Sequence, residues 1–95
     1  MSSQIQVDSP EVRVTRWTLA RGEETGQHTH EYDYVVVPLV TARMQVALPD
    51  GTESTTELSP GDSYYRAAGA EHNVRNDEAA VVDFVEVEVV RPKTT

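Results

Sequence analysis

Three histidines are all that this chain carries, and their spacing suits a metal ion. His28 and His30 form an H-x-H pair, and His72 lies far downstream in the stretch Gly-Ala-Glu-His-Asn-Val-Arg-Asn, residues 69–76. Side chains at i and i+2 of a strand leave from the same face. If residues 28–30 lie on a strand, both imidazoles aim at one place. A third imidazole from a distant strand would complete a facial set of three nitrogens. The remaining metal positions would stay open to water or substrate. Neutral imidazole suits zinc, iron, nickel and copper alike. On spacing alone, three ordinary surface or loop histidines are the plainer reading.

Other polar groups cluster around this pattern. On a regular strand Tyr34 shares parity with His28 and His30, so it either offers a phenol to the same place or packs as a core aromatic. A direct phenolate ligand is the weaker option, because an unperturbed phenol titrates near about 10. Glu31 and Asp33 have the opposite parity and should point away. Tyr64 and Arg66 share one face and Tyr65 takes the other. An inward Arg66 would anchor a substrate carboxylate; the plainer reading is a surface arginine. Met44 and Gln45 sit on opposite faces, so one of them looks inward. Asn76 is expected to satisfy backbone groups in a turn. Glu86 and Glu88 alternate with Val85, Val87 and Val89 and read as a solvated strand face, not as a catalytic carboxylate pair. No serine sits in a nucleophile-elbow context, and no phosphate-binding glycine loop is present.

The elements that must position these groups are strands. Helical periodicity is nearly absent, while short β-branched and aromatic runs recur between turns. Residues 12–19, 28–40, 43–48, 53–58, 63–66 and 79–90 read as strands, with Pro38 marking a bulge or an edge. Pro49-Asp50-Gly51-Thr52 and Ser59-Pro60-Gly61-Asp62 are strong turns. About eight short strands joined by tight turns predict an all-β jelly roll, in which non-local pairing can bring residue 72 beside 28 and 30.

Length and composition narrow the field. Ninety-five residues predict one domain over 1–95, with a core over about 11–90 and short polar tails. The net charge of −8 and pI near 4.7 argue against nucleic acid, which needs clustered Lys and Arg. The absence of cysteine excludes disulfides, thiolate metal sites and cysteine nucleophiles. No apolar run reaches membrane-spanning length, and the first ten residues lack the basic and apolar regions of a signal peptide. A cytoplasmic protein with no membrane partner is the expectation.

The motifs themselves resemble those of the cupins, small double-stranded β-helix or jelly-roll barrels. The first cupin motif reads G-x5-H-x-H-x3–4-E-x6-G, and Gly22 through His30 matches its first half. The second reads G-x5-P-x-G-x2-H-x3-N, and Gly61 through Asn76 matches it throughout, except that Ala67 stands where proline is usual. More narrowly, the chain is similar to small single-domain bacterial cupins associated with β-alanine degradation. The resemblance implies a divalent transition metal (iron, nickel, zinc or manganese) on His28, His30 and His72. The carboxylate of motif one is missing, since its positions hold Tyr34 and Val35. Tyr34 is the candidate catalytic group beside the metal. A small-molecule ligand and a homodimer are also implied. An oxygenase, or a lyase- or isomerase-type enzyme, stands against a non-catalytic module that holds metal or a small ligand.

Overall fold

A computed structural model describes residues 2–91. The polar tail expected at the C-terminus falls mostly in residues 92–95, outside the described range. Nine strands run through the described residues: β1 (Ser2–Asp8), β2 (Val12–Leu19), β3 (His28–Thr29), β4 (Tyr34–Pro38), β5 (Ala42–Ala47), β6 (Glu53–Leu58), β7 (Tyr64–Arg66), β8 (Glu71–Arg75) and β9 (Val82–Val89). They form a five-stranded sheet in the order β1-β2-β9-β4-β7 and a four-stranded sheet in the order β3-β8-β5-β6, all pairs antiparallel. This is the all-β jelly roll that the turn spacing predicts. No helix long and apolar enough to cross a membrane occurs among the described residues.

Register decides which residues face the interior. Trp17 opposes Phe84, Thr15 opposes Glu86 and Arg13 opposes Glu88 across β2 and β9. Pro38, Val36 and Tyr34 oppose the same three β9 residues from the other side. Paired residues share a face, so this whole set looks inward. Leu19, Tyr34, Val36, Met44, Leu58, Val74, Val82 and Phe84 bury against one another there. Met44 is therefore the inward member of its pair, while Gln45 faces out and bonds Thr55.

Two expectations change. The single strand read over 28–40 is broken: β3 belongs to the four-stranded sheet and β4 to the other, and residues 30–33 carry the chain between them. Ser2–Asp8 lies ahead of the expected core yet forms an edge strand on β2, although all of it is exposed. Ile5 and Val7 alternate with polar residues there, but both remain exposed. Pro38 sits at a local edge of β4, as its sequence suggests. The Leu39 N–H bonds the Asp83 carbonyl on the β9 side. Strand alternation turns Pro38 toward β7, whose pairing stops at Val36, so no ladder donor is lost.

Candidate metal centre

The loop before H-x-H is laced to the strand that bears His72. Gly22 N–H bonds the Asn76 carbonyl, Asn76 N–H bonds that of Glu23, and Thr25 N–H bonds that of Val74. The Thr25 hydroxyl accepts from Val74 N–H at 3.1 Å. Asn76, fully buried, donates to the carbonyls of Leu19 and Ala80 and accepts from Glu78 N–H, the backbone role expected of it. This lacing puts His28 directly opposite His72 in the β3–β8 register. His30, one step further, is held by Gly69 and Ala70 through two backbone hydrogen bonds of 2.8 Å. Gly69 has φ of +93° at this crossing, a conformation side chains rarely adopt.

The three imidazoles converge. His28 Nε2 lies 3.1 Å from His30 Nε2, which lies 3.1 Å from His72 Nε2. The three ligand nitrogens fall within 4.8 Å of one another. The Nδ1–H of His28 donates to the Gly26 carbonyl at 2.8 Å. That bond fixes the neutral tautomer, so the Nε2 lone pair is the one turned inward. Gly26 reaches this position with φ of +86°, and its own N–H is held by Asn73 Oδ1.

The donor set suits a first-row divalent ion. Metal–imidazole bonds of about 2.0–2.1 Å, at angles of about 90–110°, need nitrogens roughly 3.0–3.4 Å apart. The two adjacent separations meet that condition, and the spread of up to 4.8 Å across the set means that His28 and His72 must draw together for all three nitrogens to hold one ion. Lone pairs facing one another at this range repel unless a metal ion or an N–H proton lies between them. Burial, reinforced by the other imidazoles, holds His30 and His72 down to about 4, so both stay neutral and ligand-ready near neutrality.

Tyr34 is almost fully buried and stacks on the His30 ring at 4.0 Å and 24°. It sits in the apolar core and against the imidazole at once. Burial holds its phenol well above the usual range, so it is a neutral group here. Asp33 turns away to accept from Ala68 N–H.

The solvated face expected for Glu86 and Glu88 is wrong. Both are only 8% exposed, because β9 is the middle strand of its sheet and its glutamates, not Val85 and Val87, point into the barrel. Glu88 is gripped by the Arg13 guanidinium at 3.0 and 2.9 Å. Glu86 accepts the Trp17 indole N–H on Oε1 at 3.0 Å and turns Oε2 toward His30 Nε2, 3.9 Å away. Burial, helped by Glu88, pushes its carboxyl up to about 7. The register Thr15–Glu86 is the signal that finds it. Sequence alternation alone does not say which side is in.

A cavity of about 270 Å³ opens beside the cluster. His72, Glu86, Arg66 and Glu71 are among its polar lining, and Val36 and Phe84 among its apolar lining. Arg66 lies over the Tyr64 ring at 4.7 Å. It donates to the Tyr65 carbonyl and, like Arg21, pairs with no carboxylate of the described residues, whereas Arg13, Arg16, Arg43, Arg75 and Arg91 each have at least one such partner.

Two antiparallel sheets closed over a cavity, with H-x-H and a downstream histidine at its wall, define a cupin barrel. The chain belongs to the cupin family: the cupin domain model Cupin_2 matches residues 15–88. It is 48% identical over 85 residues to the β-alanine degradation protein BauB of Pseudomonas aeruginosa, covering 90% of this chain and 88% of that protein. A cupin domain from Bordetella pertussis superposes with a TM-score of 0.88 at 42% identity, over 93% of this chain and 91% of that one. A cupin from Methanocaldococcus jannaschii with a double-stranded β-helix fold shares the architecture at 17% identity, with a TM-score of 0.78 over 93% of this chain and 78% of that one.

Proposed function

We propose that the protein is a metal-dependent cupin enzyme that binds a small organic acid, with His28, His30 and His72 holding one divalent transition metal. The observation that carries this reading is the meeting of three imidazole nitrogens at 3.1 Å steps beside a cavity. Such an ion supplies Lewis acidity, and iron would add redox chemistry with dioxygen. The cavity lies near the lower end of the roughly 300–1,000 Å³ range of small-molecule sites, so the ligand is small. Arg66, left without a carboxylate partner, takes the ligand's carboxylate at the outer wall. Tyr34 keeps the His30 ring in its plane and shields it from water. Similarity to a protein named for β-alanine degradation points toward small carboxylic acids too.

A homodimer goes with this reading. The outer face of the five-stranded sheet carries Val14, Val35, Val37, Val85 and Val87, half-buried, with Tyr65 57% exposed beside them. A second copy would cover that surface. Val85→Glu should yield a monomer by analytical ultracentrifugation, and an unchanged mass would remove this surface from consideration.

The test of function is elemental analysis of untagged protein, followed by turnover assays. The reading expects about one equivalent of iron, nickel, zinc or manganese per chain. It also expects metal-dependent consumption of a small carboxylic acid, with oxygen uptake if the metal is iron. Stoichiometric metal and tight ligand uptake without turnover would establish a binding module instead. Metal that cannot be loaded would end the enzyme reading and leave a metal-free module for a small ligand.

A further inference from the structure

We infer that Glu86 is the acidic partner of the three-histidine centre, delivered from β9 in place of the carboxylate that the first motif lacks. The inference rests on the metal reading above. Where motif one would put a glutamate, Tyr34 lies flat on His30 instead. The neighbouring strand carries two inward carboxylates, with Glu88 opposite Tyr34 and Glu86 opposite Val36. Only Glu86 reaches the cluster and lines the cavity.

Its hydrogen bonding is incomplete in a way that Glu88's is not. A carboxylate can accept about four hydrogen bonds. Glu88 takes a bidentate guanidinium. Glu86 has one neutral indole N–H, on Oε1. Oε2 has no hydrogen-bond donor among the described residues, and since no fully buried side-chain oxygen there lacks a partner, it is open to the cavity that Glu86 lines. Packing alone would be better served by glutamine or an apolar residue. At 3.9 Å from His30 Nε2, Oε2 lies beyond the roughly 3.0–3.4 Å between adjacent donors of one ion. It is a positioning residue. Oε2 accepts a hydrogen bond from the protic molecule, water or a ligand's hydroxyl or amine, that occupies the open side of the three nitrogens. Its negative charge offsets that of the cation.

The experiment uses the full chain, stripped of metal and titrated with Co²⁺ against a competing chelator, with the visible spectrum recorded at saturation. Glu86→Gln keeps the side-chain volume, and its amide oxygen can still accept from Trp17. Loss of such supporting groups typically weakens metal affinity about 10–100-fold. That loss is expected for Glu86→Gln, together with a shifted Co²⁺ band from the altered open side. Glu86→Asp keeps the charge but withdraws it by one methylene, and should fall between Glu86→Gln and the parent. Glu88→Gln should leave affinity and spectrum near the parent's. If Glu86→Gln does not fold, as judged by its thermal transition, Glu86→Asp decides by the same two readouts. Parent-like affinity and spectrum would overturn the inference and leave the three-histidine site standing. Equal losses in Glu86→Gln and Glu88→Gln would overturn it as a general charge effect. Weaker binding with an unshifted spectrum would overturn it by reducing Glu86 to packing. A parent protein that binds no Co²⁺ would remove the inference and the metal site together.

Discussion

The two ends of the inner face of β9 are built alike and finished differently. Glu86 and Glu88 are two residues apart, on one face, each 8% exposed. At the Glu88 end an arginine from β2 closes the barrel with two hydrogen bonds, and Tyr32 lies against that guanidinium at 5.9 Å. At the Glu86 end the facing β2 residue is Thr15, which cannot neutralise a carboxylate. The free capacity there points at imidazoles and a cavity. A buried charge with a full partner set holds the fold. A buried charge with spare capacity beside a cavity is available to a ligand. The same residue type, two positions apart, thus serves structure in one case and is open to chemistry in the other.

That contrast can be broken most sharply at the imidazole end. His72→Ala should reduce metal retention by roughly 100-fold or more, since it removes a ligand and not a supporting contact. Elemental analysis after dialysis checks this, and unchanged stoichiometry would dissolve the contrast. Next in size is Glu88→Ala, which strands Arg13. The guanidinium keeps some access to water, its side chain being 38% exposed. The cost should be about 1–3 kcal/mol by urea denaturation, with metal affinity nearly unchanged. A variant that instead lost metal would show that the two ends are not independent.

The metal-free protein offers a pH test with opposing signs. Burial holds His30 and His72 at about 4 against an ordinary 6.5. The unfolded chain protonates first there, so stability falls as pH drops from about 6.5 toward 4. Burial pushes Glu86 up to about 7 from 4.5. The folded carboxyl keeps a proton that the unfolded one has lost, so its contribution is lost as pH rises through about 7. Two groups against one leave stability rising with pH between about 4.5 and 6.5. Glu86→Gln removes the opposing group and should steepen that rise by up to about 1.4 kcal/mol per pH unit. Denaturation across the window measures it, and a parallel pair of curves would refute the assignment. The smallest effect is expected from Tyr34→Phe. It preserves the stack on His30 and removes only the hydroxyl of a residue that lines the cavity, so metal affinity should change by less than about threefold while turnover changes. Loss of metal would make the phenol a ligand.

The histidine set was legible in the sequence because its two parts carry separate signals: an i, i+2 spacing and a glycine-bounded motif downstream. Strand spacing and turns likewise made the jelly roll legible. What escaped is the sense of each alternation. Along β9 the pattern of Glu86, Val87, Glu88 and Val89 has a period but no sign, and ordinary burial preference puts valine inside. Here valine covers an outer sheet face, and the interior accepts carboxylates because β2 supplies Arg13 directly opposite Glu88 and Trp17 diagonally across from Glu86. Tyr34 was assigned to the inner face through one continuous strand. It faces inward, but from a different sheet, after the chain crosses over at 30–33. Ser2–Asp8 was invisible as a strand because all of it lies exposed on the sheet's edge.

Trp17 is the sole tryptophan of the chain, and its indole N–H rests on Glu86 Oε1. Indole emission responds to charge and hydrogen bonding at that nitrogen, so this protein carries a built-in optical gauge with no competing signal from a second tryptophan. Diamagnetic ions such as zinc should tune its colour, whereas paramagnetic ions should dim it. Loading of the barrel can then be followed in real time, in unlabelled protein, before any substrate is known.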